Sequence, residues 1–354
     1  MSLLTETVNA IPPIDKNFHE KALARLADQA RPAGSLGLLE DTSARLAAIK
    51  KTLDVRLPNK YILTCAGDHG IVAEGVSLFP QEVTAQMVYN FINGGASINV
   101  LARHAGARVM VVDFGVNHDF EPNLAIFHKK IGKGTKNFFN EPAMSREEAI
   151  AVIEAGIETV NELCEQSDVD MIGTGDMGIG NTSPSTAIIA AFSKIPANQL
   201  TGRGTGLNDQ GLSHKTAVIE SALNTLKPNP DDPIDVLSKV GGFEIGGIAG
   251  IVIGAAARGL PVVSDGLIST AGTLIAAELA PAVKDYLFAA HQSVEIGHQS
   301  MMDRIGIQPL LKLNMRLGEG TGAALAMEIL DAATRVLAEI KTFDEVNIKN
   351  THTN

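Results

Sequence analysis

Short apolar runs that end in Gly, Asp or His recur along this chain, and segments with helical spacing lie between them. Strands buried on both faces of a sheet show continuous runs of Val, Ile and Leu, because neither face contacts water. Alternation of such strands with helices is typical of α/β proteins with a parallel sheet. The pattern predicts this fold class, with strands at 61–66, 108–113, 169–173, 261–264 and 285–290.

Helices are predicted where apolar residues recur at intervals of three and four. Ser145 and Glu148 form a capping-box pattern, and apolar residues follow at helical spacing up to Val160. Helices near the two chain ends predict a small helical domain built from 1–60 and 325–354, beside a large domain at 61–324. The other predicted helical segments are 21–29, 38–51, 184–192 and 323–341.

The most hydrophobic segment, 245–257, contains four glycines and is followed by Arg258 well short of the length of a membrane span. We interpret this segment as a close-packed buried helix. The N-terminus lacks a basic segment followed by an apolar run, so we expect no secretory signal and a cytoplasmic protein.

The composition narrows the classes of partner. Of the 354 residues, 45% are hydrophobic, which is enough for a substantial core. The formal net charge is −11, and the chain has no long Lys/Arg run, no Trp and only three Tyr. These features argue against nucleic acid or an anionic membrane as the main partner. A phosphorylated substrate would need a local positive site.

Polar residues follow several predicted strands, and in open α/β sheets ligands bind beyond the carboxyl ends of the strands. One crevice is therefore expected. Glu319 is a candidate general base near it, since the flanking Gly318 and Gly320 leave room for a substrate and apolar neighbours could raise the pKa of the carboxyl group. The alternative is a glutamate that only stabilises the start of a helix.

A second glycine-rich segment, 173–183, follows a predicted strand and precedes a predicted helix. This order directs free backbone N–H groups toward an anion, and Asn181 and Thr182 add side-chain donors. The loop 202–206, with Lys215 downstream, could close over the same phosphate. The alternative is a tight turn between strand and helix without a ligand.

Residues 173–178 also contain the GxGxxG pattern of dinucleotide-binding proteins. Such a site normally has a carboxylate about twenty residues later, whereas no Asp or Glu occurs between Asp176 and Asp209. A dinucleotide-dependent oxidoreductase is therefore disfavoured. A noncatalytic nucleotide-binding protein remains a further alternative.

Five segments together resemble one enzyme family. The chain is similar to the nicotinate-nucleotide:dimethylbenzimidazole phosphoribosyltransferases, which activate the lower ligand of cobalamin. The segments, in order, are PAGSLGLLE at 32–40, AGDHGIVAEGVSLFPQEVTAQMV at 66–88, GTGDMGIGNTSPSTA at 173–187, DVLSKVGGFEIGGIAG at 235–250 and RLGEGTGAALAM at 316–327.

The resemblance implies a homodimer with a large Rossmann-like α/β domain and a small helical domain. It also implies a reaction without metal or cofactor, in which a nitrogen of an aromatic base attacks C1′ of nicotinate mononucleotide and nicotinate leaves. The product is an α-riboside 5′-phosphate. Because an N–H nucleophile must lose its proton as it bonds to carbon, a positioned carboxylate suits this chemistry.

The family motifs assign roles to particular residues. Glu319 is implied as the general base, and Asp176, where the family commonly has a glutamate, as a group that orients the ribose or acts by its charge. The phosphate and nucleotide are assigned to Gly178, Gly180, Asn181, Thr182, Gly204, Lys215 and Ser293. The aromatic-base pocket is assigned to Phe79, Met87, Met177 and Leu317.

Phe79 and Met87 stand where the best-known family pattern has polar residues, so the base could be a benzimidazole, a purine or a phenol; core packing of these two side chains is the alternative. Asp68 and His69 could form an acid/base pair, but a structural role is at least as plausible for both. His104, His128, His214 and His298 are too dispersed to predict a metal site, and His291 is a pocket residue without a defined role.

Overall fold

The computed structural model of this protein describes residues 2–349, so residue 1 and residues 350–354 of the predicted helical domain lie outside the described part. Its centre is a seven-stranded sheet in the order β3-β2-β1-β4-β5-β6-β7, and every neighbouring pair is parallel. The strands are β1 (Lys60–Gly67), β2 (Ala107–Gly115), β3 (Phe127–His128), β4 (Met171–Met177), β5 (Val262–Ser264), β6 (Leu287–His291) and β7 (Pro309–Leu311).

Helices cover both faces of the sheet. They are α1 (Leu3–Ala10), α2 (Lys16–Ala27), α3 (Leu38–Lys50), α4 (Val83–Ile92), α5 (Ser97–His104), α6 (Arg146–Gln166), α7 (Thr182–Ser193), α8 (Asp209–Leu226), α9 (Pro233–Val240), α10 (Phe243–Ala257), α11 (Leu267–Leu279), α12 (Gly297–Ile305) and α13 (Thr321–Glu339). Short 3₁₀ segments occupy Gly70–Glu74, Ala197–Gln199, Pro281–Tyr286 and Asp344–Val346.

The predicted fold class is confirmed, and each predicted strand is present. The predicted end of the third one at 173 was wrong, because β4 continues to Met177. Gly173 and Gly175 therefore lie in a strand instead of a phosphate loop. The edge strands β3 and β7 were not predicted, since two or three residues give no recognisable pattern.

The strand order changes direction between β1 and β4, both of which are central. In doubly wound sheets a crevice opens at such a switch point, beyond the carboxyl ends of the strands, because the connections on its two sides leave toward opposite faces. The chain after β4 enters α7, and the chain after β1 enters the segment that leads to α4. This topology brings residues from distant parts of the sequence to one crevice.

Helix α6 begins as the sequence predicted. The Ser145 hydroxyl accepts a hydrogen bond from the backbone N–H of Glu148, and the Glu148 carboxylate accepts one from the backbone N–H of Ser145. Both bonds of a capping box are therefore formed, and they satisfy two N–H groups that the helix itself leaves free.

Helix α10 is buried along nearly its whole length, which confirms its prediction as a buried helix. It packs on α6 at glycines of both helices: a Cβ at position 250 would lie 1.9 Å from the carbonyl oxygen of Ile153. A Cβ at 156 would lie 2.2 Å from the carbonyl oxygen of Gly247. The two backbones thus approach closely only because these positions carry no side chain. Among the described residues, no helix combines the length and apolar composition needed to cross a bilayer.

Helices α2, α3 and α13 pack on one another, as expected for helices of a small end domain. However, α13 also packs on β4 and β6, and α1 packs on α6 and α10. The proposed boundary between 324 and 325 falls within α13. The division into two domains therefore stays a prediction.

Substitution of Gly250 by Ala tests the close packing of α6 and α10. We expect Gly250→Ala to lower the free energy of unfolding by about 1–3 kcal/mol or more, because the new methyl group overlaps the Ile153 carbonyl. Denaturant unfolding measures this change. Gly254→Ala, on the same helix, should cost less stability, since its Cβ would lie 3.2 Å from the nearest atom, the Cα of Ile157, and alanine has the higher helix propensity. Equal stability of the two variants would contradict this packing.

Candidate active site

A cleft of about 420 Å³ opens at the carboxyl ends of the central strands. Its walls come from the segment after β1, the β4–α7 turn, the start of α11, the segment after β6 and the loop before α13. Every site residue predicted from the sequence lines this cleft except Lys215, which reaches its wall from α8. The lining members are Phe79, Met87, Asp176, Met177, Gly178, Gly180, Asn181, Thr182, Gly204, Ser293, Leu317 and Glu319.

Glu319 lies in the middle of three consecutive residues with positive φ: Gly318 at 87°, Glu319 at 63° and Gly320 at 99°. A left-handed backbone is uncommon for a residue with a side chain and costs on the order of 1 kcal/mol. Its carboxylate is buried, and Oε2 accepts a 3.0 Å hydrogen bond from the backbone N–H of Ile98, near the start of α5. Burial raises the pKa of Glu319, and the hydrogen bond from Ile98 opposes that rise.

The backbone around Glu319 is tied to the sheet. The Thr64 hydroxyl on β1 donates to the Glu319 carbonyl at 3.0 Å, and the Glu319 N–H donates to the Asp176 carbonyl at 3.2 Å. A Cβ at Gly175 would lie 2.2 Å from the same Glu319 carbonyl oxygen. Gly175 therefore allows the loop to pack on β4, which is a different role from the phosphate contact that the GxGxxG pattern suggested.

Asp176 lies near the end of β4, next to the loop that carries Glu319, and both residues line the cleft. Its Oδ2 accepts a 3.0 Å hydrogen bond from the Asn181 side-chain amide, while Oδ1 is buried and has no partner within residues 2–349. Burial raises the pKa of Asp176 well above its usual value, and the negative charges of Asp265 and Glu244 add to this effect. A carboxyl oxygen without a partner, at the edge of a cleft, can bond to a polar group of a ligand.

The turn after β4 leads directly into α7. Gly180 has a φ of 89°, and a Cβ there would lie 2.6 Å from Val72. Gly178 is equally confined, because its Cβ would lie 2.3 Å from the Gly67 carbonyl oxygen. Helix α7 begins at Thr182 and borders the cleft. Of its first four residues, Pro184 has no N–H, and the N–H groups of Ser183 and Ser185 donate to the carbonyls of Gly180 and Asn181, which leaves the N–H of Thr182 for a ligand.

Lys215 is the cation beside this turn. Its ammonium group donates a 2.6 Å hydrogen bond to the Thr182 hydroxyl, and the residue is only 1% exposed. Burial lowers the pKa of Lys215 to about 8, although the charge of Glu295 acts in the opposite direction. A buried cation bonded to a neutral hydroxyl would gain stability from an anion in the cleft.

The loop at 202–206 closes the same side of the cleft. The N–H of Gly204 donates to Glu295 Oε1 at 3.1 Å, and Arg316 donates to the Gly204 carbonyl at 2.9 Å. The backbone N–H of Glu295 in turn donates to the Ser293 hydroxyl at 3.3 Å. Glu295 and Arg316 were not predicted as site residues, although Arg316 begins the segment 316–327 and Glu295 lies two residues after Ser293.

The apolar part of the cleft is at its mouth. Phe79 and Leu317 are 53% and 55% exposed, and Met87 and Met177 are half-buried. Phe79 therefore is not a core residue, whereas Met87 both lines the cleft and packs against the hydrophobic core. These four side chains could contact an aromatic ring, and that role stays a prediction.

Asp68 and His69 have separate partners. The backbone N–H of Asn117 donates to Asp68 Oδ2 at 2.8 Å, whereas His69 Nε2 lies 2.7 Å from Glu244 Oε1 in a fully buried pair. The His69 ring packs against Gly178, since a Cβ added at Gly178 would lie 3.1 Å from His69 Nε2. Glu244 was not identified from the sequence, because its partner is distant in the chain.

His298 is held by two hydrogen bonds, to the Thr270 hydroxyl and from the backbone N–H of Ser293. His291 ends β6 and lines the cleft, and its Nε2 lies 3.8 Å from Asp265 Oδ1. Burial lowers the pKa of both imidazoles, that of His298 to about 3. Within the described residues, no group of three or more His, Cys, Asp or Glu side chains is placed to hold a metal ion.

Proteins of known family are similar to this chain in sequence and in fold. A family model described as Phosphoribosyltransferase matches residues 11–348. The nicotinate-nucleotide–dimethylbenzimidazole phosphoribosyltransferase of Citrifermentans bemidjiense is 57% identical over 348 residues, covering 98% of this chain and 99% of the relative. The protein of the same name from Chloroflexus aurantiacus is 52% identical over 348 residues, with the same coverage.

A solved structure agrees with these sequence relatives. The crystal structure of CobT from Thermus thermophilus matches with a TM-score of 0.90 and 41% identity, covering 94% of this chain and 99% of that chain. Both sequence and fold therefore match over nearly the full length. The chain belongs to the nicotinate-nucleotide–dimethylbenzimidazole phosphoribosyltransferase family.

Proposed function

We propose that this enzyme transfers ribose 5-phosphate from nicotinate mononucleotide to an aromatic lower-ligand base such as 5,6-dimethylbenzimidazole, in cobamide biosynthesis. The products are an α-riboside 5′-phosphate and nicotinate. One observation carries this proposal: a buried glutamate with a raised pKa, Glu319, lines the same cleft as the β4–α7 turn that Lys215 supports. The family relatives support the same reaction by their names.

The proton transfer is the step assigned to Glu319. As the base nitrogen bonds to C1′, the bond from C1′ to the nicotinate nitrogen breaks, and the N–H proton of the base passes to the Glu319 carboxylate. The raised pKa of Glu319 makes this carboxylate a better proton acceptor than an ordinary glutamate. The hydrogen bond from Ile98 engages Oε2 and leaves Oε1 for the base.

The phosphate is assigned to the turn after β4. The Thr182 N–H and hydroxyl lie at the predicted phosphate position, and Lys215, which donates to that hydroxyl, supplies positive charge to this side of the cleft together with Arg316. Asp176 is assigned to a ribose hydroxyl, because its Oδ1 has no partner within residues 2–349. Holding both substrates in register contributes to the rate in addition to the proton transfer.

The base pocket is assigned to Phe79, Met87, Met177 and Leu317. An apolar pocket selects a ring by its shape and discriminates weakly between polar substituents. We therefore propose a benzimidazole as the base, with purines and phenols as competing acceptors. For a phenol, the attacking atom would be oxygen, and Glu319 could still accept the proton.

A homodimer in the cytoplasm is part of the proposal. Five large apolar side chains that line the cleft or directly neighbour its lining residues in the chain are exposed, and large exposed apolar groups are typical of protein interfaces. These side chains are Leu78, Phe79, Val294, Ile296 and Leu317. Sedimentation of the purified protein tests the dimer, and a monomer at micromolar concentration would contradict it.

Substitution of Glu319 by Gln tests the proton transfer. We expect Glu319→Gln to lower kcat by a factor on the order of 10² to 10⁴, because the amide cannot accept the proton, while the affinity for nicotinate mononucleotide changes much less. Mass spectrometry of reactions with nicotinate mononucleotide and a panel of benzimidazoles, adenine, phenol and p-cresol measures the product. Glu82→Gln, at an exposed glutamate outside the cleft, is the matched control.

Wild-type kcat in Glu319→Gln would remove the proposed role of this carboxylate. Absence of any riboside phosphate from the wild-type protein with every base would contradict the proposed function itself.

Titration of Lys215 predicts how nucleotide binding depends on pH. The phosphate binds best to the protonated ammonium group, so the Kd for nicotinate mononucleotide should rise by about tenfold per pH unit above the Lys215 pKa of about 8. Lys215→Met should weaken binding about 10- to 100-fold near neutral pH and remove this rise. Calorimetry between about pH 6.5 and 9.5 measures both effects. Lys16→Met, at an exposed lysine of α2, should bind like the wild type, and an unchanged pH profile in Lys215→Met would disprove the assignment.

A further inference from the structure

The buried carboxylate of Asp265 has no role in the reaction described above. Asp265 directly follows β5 and is fully buried, and its neighbour Gly266 lines the cleft while Asp265 lies behind the cleft wall. Both of its oxygens accept hydrogen bonds from the chain around the general base. Oδ2 accepts from the backbone N–H of Gly320 at 3.0 Å, and Oδ1 accepts from the backbone N–H of Ala323 at 3.0 Å.

The two bonds of Asp265 join the strained loop to the helix that follows it. Gly320 is the last of the three residues with positive φ, and Ala323 lies in the first turn of α13. One rigid carboxylate therefore fixes both the end of the left-handed segment and the start of the helix. A conformation that is unfavourable for Glu319 persists only where its surroundings hold it, and Asp265 supplies two of those contacts.

Asp265 lies close to Gly322 in the first turn of α13 and to the ring of His291. A Cβ at Gly322 would lie 2.8 Å from Asp265 Oδ1 and 2.1 Å from the His291 ring. The charged and titratable groups around this carboxyl group include Glu319, which raises its pKa, Asp176, whose own pKa the charge of Asp265 raises, and His291, whose Nε2 lies 3.8 Å from Oδ1. Burial raises the pKa of Asp265 to about 7, and backbone hydrogen bonds oppose this.

We propose that Asp265 is a positioning residue of the transfer reaction, which holds the backbone of 318–320 so that the Glu319 carboxylate faces the cleft. This inference rests on the proposed role of Glu319 as the general base. Asp265 is fully buried and does not line the cleft, so the proposal gives it no contact with substrate. Its removal therefore acts on catalysis through the geometry of Glu319.

Asp265→Asn is the direct test, because the amide keeps the size of the side chain but places an N–H₂ group against one of the backbone donors. We expect kcat to fall about 10- to 100-fold, since a displacement of about 1 Å at a catalytic group can cost this much. The KM for nicotinate mononucleotide should stay within about twofold of the wild type, because the β4–α7 turn is unchanged. Steady-state kinetics with 5,6-dimethylbenzimidazole measure both parameters.

A double variant separates positioning from a general structural role. If Asp265 acts through Glu319, Asp265→Asn in the Glu319→Gln background should lower kcat no further than Glu319→Gln alone. Multiplicative losses in the double variant would overturn the proposal, as would wild-type kcat in Asp265→Asn. These outcomes differ from failure of the proposed function, in which the wild-type protein itself forms no riboside phosphate.

Asp113→Asn is the matched control for loss of a buried carboxylate. Asp113 also lies near the end of a strand, is 1% exposed and accepts a backbone N–H, from Val116, but it does not line the cleft. This variant should lose stability and keep its kcat.

Asp265→Ser, which keeps an oxygen acceptor, replaces Asp265→Asn in the same kinetic test if Asp265→Asn does not fold. Failure of both Asp265 variants to fold, with Asp113→Asn folded, would overturn the proposal, because Asp265 would then be required for the fold itself.

Discussion

The packing of the loop at 318–320 on strand β4 determines where the candidate general base lies. The carbonyl of Glu319 occupies the space that a side chain at Gly175 would fill, and its N–H bonds to the end of the same strand. The loop can adopt this position because both of its glycines take positive φ values without a steric penalty. A close contact between two backbones thus places one carboxylate in the cleft, and the remaining groups of the site are arranged around it.

The electrostatics of the cleft follow from burial on both of its sides. Asp176, Asp265 and Glu319 are buried carboxyl groups with raised pKa values, whereas Lys215 is a buried ammonium group with a lowered pKa. In each case burial disfavours the charged form; hydrogen bonds offset part of that cost for the three carboxyl groups, and the charge of Glu295 does so for Lys215. A substrate that brings a phosphate to Lys215 and a proton to Glu319 would satisfy both sides at once. This complementarity is the physical basis of the proposed transfer.

Much of the fold could be predicted from the sequence, because buried parallel strands and capped helices leave clear local patterns. The strands from β1 to β6 were found in this way, apart from β3, and so was the start of α6 at its capping box. The edge strands β3 and β7 are too short for any periodicity to show. Helix α8, which carries Lys215, was not predicted either, so the burial of that lysine could not be foreseen.

The contacts within the site were harder to predict than its members. Glu319 was recognisable because glycines flank it. The hydrogen bond from Gly320 to Asp265, in contrast, joins residues far apart in the chain, so no local pattern predicts it. The GxGxxG pattern was misleading for Gly175. A glycine that allows close packing in a strand cannot be distinguished by sequence from a glycine that binds phosphate in a loop. Local sequence therefore identifies the residues that can react or bind, whereas tertiary packing decides which other residues hold them in position.

The most direct test of this account is a crystal structure with nicotinate mononucleotide and a benzimidazole bound together. We expect a Glu319 carboxylate oxygen about 2.6–3.2 Å from the N–H of the base, whose other ring nitrogen should face C1′ of the ribose. A structure in which Glu319 points away from both molecules, or in which the base binds outside this cleft, would contradict it.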